Sequence, residues 1–253
     1  MKTRKEFSII IPAHNAENRL SIPLHSIISQ CYDRDKFEII VICDACDDRT
    51  AEVAKKYDAD IVKEVRHGNA GLARNEGLEA ASGEWVLFMD DDDHWLGECV
   101  LAFLHRFAMA DDFDIACFSF YWSNGAALPF DNAGFLFPNV WSKMWRRSFI
   151  GETRFRNVYP NDDELFCKDM MQKSPRIRVS DNMIYFYDYM RPGSISDAER
   201  KKRDASKERQ TVQKRDLSGA CGRRGRKQEV HCRRLCDDLG KISALRLGRR
   251  NDL

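Results

Sequence analysis

No stretch of this 253-residue chain approaches the roughly 18 consecutive apolar residues of a membrane span. The basic start, MKTRKEFSIIIPAHN, carries an apolar run too short for a secretory signal, so the expectation is a chain that folds at once and stays in the cytoplasm. A surplus of one charge is also missing. The 41 Lys/Arg stand against 40 Asp/Glu, a net charge of +1, which argues against a polyanion such as nucleic acid as partner. There is no internal repeat. The nine cysteines suit a reducing compartment as free thiols, with Cys99, Cys117 and Cys167 read as core residues. Two spacings stand apart, Cys43/Cys46 and Cys232/Cys236. A zinc site built from both pairs matches no known ligand spacing, and the alternative for the first pair is a buried thiol at a strand end.

The near-zero total conceals an acidic body and a basic tail. Residues 198–253 hold 18 Lys/Arg and 8 Asp/Glu, leaving 23 and 32 for residues 1–197. The tail, KKRDASKERQTVQKRDLSGACGRRGRKQEVHCRR onward, has almost no large apolar side chains to offset the entropy of ordering it. It reads as poorly ordered or partly helical, around 199–217 and 229–247, or as a basic patch giving peripheral contact with anionic lipids at the inner face of the membrane. The body, 43% hydrophobic over the whole chain, has enough for a sizeable core.

Within the first 110 residues the pattern alternates strand and helix. FSIIIP (7–12), FEIIVIC (37–43), ADIVKEV (59–65) and EWVLFMD (84–90) read as strands, the apolar runs among them as parallel strands covered on both faces. Between and after them, residues 16–30, 47–57, 68–82 and 96–110 have helical spacing. This order predicts an α/β fold, a Rossmann-like open and mostly parallel sheet with helices on both faces and right-handed crossovers. Ligands of such sheets bind beyond the carboxyl ends of the strands. Those ends read "PAHN", "CDACDD" and "DDDD", so polar residues gather on one edge. Further on, 113–120 is a strand, the Gly-, Asn- and aromatic-rich segment that follows is a loop over the sheet, 140–150 a strand, 162–173 a helix and 176–190 one or two strands. Residues 1–197 are expected to form one globule, in which 113–197 supplies the wall opposite the sheet edge built by 1–112.

The four aspartates Asp90–Asp93 end an apolar strand, where adjacent carboxylates ~4 Å apart repel by about 1 kcal/mol in water and about 4 near a protein surface. A solvated acidic turn, a cation site and a nucleophile centre are the three readings. Strand alternation would point Asp90 and Asp92 one way and Asp91 and Asp93 the other. A D-x-D pair on one face can hold a hard divalent ion that also takes phosphate oxygens, such as Mg²⁺. An EF-hand is excluded, because Trp95 stands where its glycine is needed and the closing glutamate is missing. The partners that an aspartyl nucleophile needs are also missing.

Six blocks, in order, resemble family 2 glycosyltransferases of the GT-A, nucleotide-diphospho-sugar transferase fold, over residues 6–196. They are SIIIPAHNAENRL, EIIVICDACDDRT, GNAGLARNEGLEAASGEWVLFMDDDD, VWSKMWRRSFI, NDDELF and YFYDYMRPGSIS. The resemblance implies that Pro12, Ala13 and His14 pack against the nucleobase with Glu17 near the same pocket, and that Asp44 bonds the base edge. It places Arg74 in the lining of the nucleotide pocket, Asp90 near the ribose, and Asp92 on Mg²⁺ or Mn²⁺. Asp163 becomes the general base, and Arg191 and Ser194 a loop closing on the diphosphate. It further makes 1–112 a nucleotide-sugar-binding half and 113–197 an acceptor and catalytic half, and implies an inverting transfer from a nucleotide-sugar donor, UDP being the family default, to a glycan or lipid-linked sugar in polysaccharide assembly.

Each position has a plainer alternative. Asp44 as a cap of the next helix, Arg74 as a surface ion pair, His14 as a satisfied turn residue, Asp162–Glu164 as a solvated helix start and Arg191 as loop chemistry are the others. The chain departs from the family pattern at Cys43, Ala45 and Cys46, and Asp162 replaces the usual Glu, leaving Asp162 and Asp163 both as candidates for the base. A sugar-1-phosphate nucleotidyltransferase would want a Gly-rich segment with Arg and Lys after the first strand, which PAHNAENRL lacks. A non-catalytic nucleotide-sugar binder is the third possibility.

Overall fold

Continuous apolar runs become the middle of the sheet because both of their faces are covered. In the computed structural model, which describes residues 4–123, 127–128, 139–188, 191, 197 and 201, these runs are β1 (Phe7–Ala13), β2 (Phe37–Asp44) and β4 (Trp85–Phe88). Alternate side chains go to opposite faces. Phe7, Ile9, Ile11, Ile39, Val41, Trp85 and Leu87 pack with Leu24 and Ile27 of α1 (Ser21–Ile28), Ala54 of α2 (Thr50–Lys56), and Leu101 and Leu104 of α4 (Val100–Met109). Ile10, Ile40, Ile42, Val86 and Phe88 meet Ala73 and Leu78 of α3 (Ala70–Ala80) and Phe166 and Met170 of α6 (Asp162–Gln172). A Cβ at Gly77 would lie 2.3 Å from Ile10 Cγ2, so α3 approaches β1 as closely as only glycine allows.

The remaining strands are β3 (Ile61–Val65), β5 (His94–Trp95), β6 (Ile115–Trp122), β7 (Ala127–Leu128), β8 (Lys143–Arg146) and β9 (Ile177–Tyr187). The sheet order is β3-β2-β1-β4-β8-β6-β9-β5, with β7 on β6. The first four strands are parallel. Beyond them β8 runs antiparallel between β4 and β6, β9 lies parallel to β6, and β5 closes antiparallel on β9. The carboxyl ends of β1, β2 and β4 therefore share one edge with those of β6 and β9.

Several elements differ from the sequence reading, each for a local reason. The segment before α1 turns rather than coils, because Ala16 N–H donates to Thr50 Oγ1 (2.7 Å) and Glu17 N–H to Asp48 Oδ2 (3.0 Å). β4 leaves the sheet after Phe88, so the aspartates sit in a turn and not on a strand. The expected strand over 140–150 is β8 alone, followed by the short α5 (Arg147–Ile150). β6 extends to Trp122, into the segment read as a loop, and 176–190 yields a single strand with a shifted register opposite Phe118–Phe120. Cys117 is buried and Cys167 half-buried, whereas Cys99, read as core, is exposed.

The chain divides into two compact units, Met1–Arg191 and Pro192–Leu253. Of the second, Asp197 and Lys201 are described, joined by an ion pair of 2.7 Å. The expectations for the basic tail, including Cys232 and Cys236, lie outside the described residues. Among the described residues no helix is long and apolar enough to cross a membrane.

Candidate active site

The turn after β4 distributes its four carboxylates to four different partners. Asp90 Oδ1 accepts from Arg74 Nη2 (2.8 Å). Asp91 receives Arg19 through two bonds, Nε to Oδ1 (2.9 Å) and Nη2 to Oδ2 (2.8 Å), and His14 N–H as well (3.1 Å). Asp92 Oδ2 accepts from Arg191 Nε. Asp93 has no exposed surface; its Oδ2 accepts from the Tyr185 hydroxyl (2.6 Å) and its Oδ1 from the Asp188 N–H (2.8 Å). The Tyr185 oxygen in turn accepts the Asp90 N–H (3.2 Å), which pins both ends of the turn to β9. Burial, with the charges of Asp92 and Asp90 behind it, holds the Asp93 carboxyl well above the usual range. Asp91 and Asp93 are thus spent on holding the turn, and neither is free to face a sugar.

Arg74 is the hub of the site. It projects from α3, is 4% exposed, and reaches Asp162 Oδ2 (2.9 Å), Asp163 Oδ1 (2.7 Å) and Asp90 Oδ1. Its guanidinium also lies 5.5 Å from the Phe155 ring centroid, and its Nε is buried without a partner among the described residues. The surface ion pair considered for Arg74 is therefore not what the fold makes of it. Burial works to lower its pKa, but the charges of Asp163, Asp90 and Asp162 outweigh that and raise it.

Asp162 and Asp163 open α6, where the helix dipole favours acids. A side chain on Gly71 would strike Asp162 Oδ2 at 2.9 Å, so the bare start of α3 makes room for that carboxylate. The Asp163 side chain is 23% exposed and its Oδ2 accepts from Val140 N–H (3.3 Å). Burial, together with the charges of Asp90 and Asp162 and against that of Arg74, raises the Asp163 carboxyl to about 7. Asp162 is raised as well, first by burial, but it is the more enclosed of the two.

On the β1–β2 side, Pro12 and Ala13 are buried at the end of β1 and His14 is exposed on the turn. His14 Nδ1 lies 2.8 Å from the Asp44 carbonyl. Asp44 is 4% exposed and accepts three backbone N–H groups, from His67 (2.6 Å), Gly68 (2.9 Å) and Asn69 (2.8 Å). It shapes the loop that enters α3; Asp48, not Asp44, bonds the first N–H of α2. With about four lone-pair sites on a carboxylate, one remains on Asp44 for another donor. Glu17 Oε2 accepts both N–H and Nε of Arg49 at 3.2 Å on the rim of the same edge.

Asp92 has the chemistry of a carboxylate that a hard cation can use. Burial and the charges of Asp90 and Asp91 push it up to about 6 despite Arg191. Its second oxygen is without a partner among the described residues, which fits an ion taking one or two carboxylates and completing its shell with phosphate oxygens. No group of three or more His, Cys, Asp or Glu side chains converges as a metal site among the described residues. Arg191 stands at this turn, and Ser194 lies outside the described residues.

Sequence reasoning missed Arg19, Tyr185 and the Val140 N–H. Arg19 and Tyr185 sit inside the blocks SIIIPAHNAENRL and YFYDYMRPGSIS, but no spacing rule pairs them with Asp91 and Asp93. The Val140 contact is made by backbone and leaves no mark in the residue types.

The family model for glycosyl transferase family 2 matches residues 8–179. Among curated proteins, the chain is 26% identical over 209 residues to a poly(ribitol-phosphate) beta-glucosyltransferase of Bacillus spizizenii, covering 74% of this chain and 33% of that one. It is 28% identical over 226 residues to an uncharacterized glycosyltransferase, YibD, of Escherichia coli, covering 78% and 64%. The chain spans about a third of the length of the Bacillus spizizenii transferase and of the poly(ribitol-phosphate) transferase TarS of Staphylococcus aureus, and 62% of TarP. Among solved structures, Staphylococcus aureus TarS 1–349 in complex with UDP-GlcNAc aligns with a TM-score of 0.69 at 24% identity, covering 76% of this chain and 60% of that one. A mannosyltransferase of Pyrobaculum calidifontis with GDP-Man and Mn²⁺ aligns with a TM-score of 0.61 at 18% identity, covering 76% and 59%. At these identities the two structures establish the GT-A fold and nothing finer.

Proposed function

Because the chain belongs to glycosyl transferase family 2, we propose that it transfers a sugar from a nucleotide-diphospho-sugar to an acceptor hydroxyl, with inversion at the anomeric carbon. The observation that supports this most is the Arg74 hub, which gathers Asp90 from the turn after β4 and Asp162 and Asp163 from the start of α6 onto one sheet edge. In this reading Pro12, Ala13, His14, Glu17 and Asp44 form the base side of the donor pocket, and Asp90 faces the ribose. Asp163 is the base, its carboxyl raised to about 7 and so poised near neutral pH. The acceptor hydroxyl attacks the anomeric carbon and its proton passes to Asp163. A new C–O bond forms as the bond to the diphosphate breaks, and the diphosphate leaves with the electron pair. Asp92 would hold Mg²⁺ or Mn²⁺, whose chemistry when bound is to neutralise the departing diphosphate. Arg191, and Ser194 with it, are assigned to the diphosphate side.

UDP is the carrier we assign, on the strength of the Staphylococcus aureus relative solved with UDP-GlcNAc. The acceptor assigned is a glycan or lipid-linked sugar in surface-polysaccharide assembly, consistent with relatives named for poly(ribitol-phosphate). The experiment is calorimetric titration with UDP- and GDP-sugars, with Mn²⁺ or with EDTA, followed by an assay of donor hydrolysis and transfer. Binding that requires the ion, together with release of UDP, is the expected result. A chain that binds no nucleotide sugar with Mn²⁺ present refutes the proposal, and binding without turnover makes it a non-catalytic binder.

A further inference from the structure

Two cysteines far apart in sequence meet on the surface, away from the cluster of carboxylates. Cys31 follows α1 and Cys99 immediately precedes α4, and both are exposed. Three hydrogen bonds lace their segments together. Cys31 N–H donates to the Glu98 carbonyl (2.6 Å), Gln30 Nε2 to the Gly97 carbonyl (2.8 Å), and Leu101 N–H to Gln30 Oε1 (3.1 Å). Gln30 is 6% exposed, so this anchor is part of the folded interior. Through the Cys31 N–H bond to the Glu98 carbonyl, the Cα atoms of Cys31 and Cys99 lie within roughly 7 Å of each other, at the upper limit of the roughly 4.4–6.8 Å that a disulfide spans. The charge of the neighbouring Cys99 thiol raises the pKa of Cys31.

The other close pair provides the contrast. Cys43 and Cys46 also face each other, but Cys43 is buried and its thiol is pushed up to about 12, first by burial. The Cys46 sulfur is engaged by the Ala13 carbonyl and the Asn15 N–H, both at 3.4 Å. Cys117 is buried, and the half-buried Cys167 donates to the Asn139 carbonyl (3.5 Å). Among the described cysteines, Cys31 and Cys99 form the pair in which a reagent from solvent reaches both sulfurs.

We propose that Cys31 and Cys99 are a redox-active surface dithiol that closes to a disulfide by exchange with a low-molecular-weight disulfide such as oxidised glutathione. One protein thiolate attacks a reagent sulfur and expels a glutathione thiolate. The second protein thiolate then attacks the protein-bound sulfur of the mixed disulfide and expels the other. Two protein S–H bonds become one S–S bond, the reagent S–S bond becomes two S–H bonds, and the two protons pass from protein to glutathione. The closed form staples the end of α1 to the start of α4 and fixes the segment leading out of β5.

The test takes the full-length chain, reduced and desalted, through a series of oxidised-to-reduced glutathione ratios. Free thiols are then trapped with N-ethylmaleimide and the protein is digested for mass analysis. The expected result is a Cys31–Cys99 cross-linked peptide and a monomer lighter by two hydrogens, without attached glutathione. Closing a loop of roughly 70 residues should raise Tm by about 5 °C or more, reversibly with dithiothreitol. In Cys99→Ser the first step stalls, leaving glutathione on Cys31, and Cys31→Ser leaves it on Cys99. Stable glutathione on both cysteines of the unaltered chain overturns the proposal. So do a disulfide-linked dimer, cross-links to Cys221, Cys232 or Cys236 instead, absence of reaction at both positions, or a lower Tm in the closed form.

Discussion

Replacing Arg74 by Met tests whether the hub is held by charge or by packing. Methionine keeps an apolar stem at this buried position and removes the guanidinium that three carboxylates share. Breaking a buried ion pair by deleting one partner costs about 3–5 kcal/mol, because the other charge stays behind uncompensated. Here the Asp90 and Asp163 side chains keep 27% and 23% of their exposure, so water relieves part of the cost and the lower figure applies, about 3 kcal/mol. For a chain of this size that corresponds to a Tm lower by roughly 6–12 °C. The cost depends on pH with a definite sign. Asp162 and Asp163 already have folded pKa values above the ordinary carboxylate value, Asp163 at about 7, and loss of Arg74 raises both further. Such groups favour the folded state when protonated, and that stability is lost as pH rises through the folded pKa. The deficit of the variant is therefore full above neutrality and shrinks at pH ~5, to about 1 kcal/mol, as the stranded carboxylates take up protons. Urea unfolding of both proteins at the two pH values measures it. Equal deficits would refute the electrostatic account and leave packing as the cause.

Three further substitutions and a pH profile separate the proposed roles. Asp163→Asn should keep donor binding in calorimetry and lower transfer by about 10²–10⁴-fold; unchanged transfer would move the base to Asp162. In the unaltered enzyme, kcat/KM should rise as pH increases through about 7, where Asp163 loses its proton, and a profile flat across that range would exclude it as the base. Asp44→Ala strands three N–H groups of the loop entering α3, so urea unfolding should show a loss of about 2–3 kcal/mol and UDP titration a weaker affinity; undiminished UDP affinity would remove Asp44 from the base pocket. Tyr185→Phe leaves Asp93 Oδ2 and the Asp90 N–H without a partner and should cost about 1–3 kcal/mol by the same measurement.

The parallel half of the sheet was legible because its strands are apolar on both faces, a pattern that residue type alone records. The runs FSIIIP and FEIIVIC became β1 and β2, and the helices after them, α2 and α3, followed from spacing. The edge on which polar residues gather was legible for the same reason, since parallel strands all end on one side. What failed was the direction of individual side chains. Alternation assumes a strand, and β4 stops at Phe88, two residues before the first aspartate. β5, at two residues, is too short for any periodicity to show. Asp44 read equally as a helix cap or a base ligand, because its three N–H donors come from residues 67–69, more than twenty positions away. Arg19 with Asp91 and Tyr185 with Asp93 are likewise long-range pairings that only the folded chain defines.

The aspartate run poses an electrostatic problem that the fold answers by separating its members. Arg74 comes from α3, Arg19 from the turn before α1, and Arg191 from beyond β9, each to a different carboxylate, while Asp93 is given two hydrogen-bond donors and a raised pKa in place of a cation. Asp162 and Asp163 add two more carboxylates to the same hub. Five carboxylates then share three guanidinium groups, so the edge as a whole stays acidic. A diphosphate arriving there brings more charge of the same sign, and at ~4 Å each unit pair costs about 4 kcal/mol near a protein surface. Donor binding on this edge is therefore self-consistent only if positive charge arrives with the donor. In the proposed reading Asp92 receives it, one oxygen held by Arg191 and the other without a partner among the described residues. The same reasoning accounts for Asp91 and Asp93. By locking the turn onto Arg19 and Tyr185, they keep Asp90 and Asp92 from relaxing apart, as the proposed binding of a cation with the diphosphate requires.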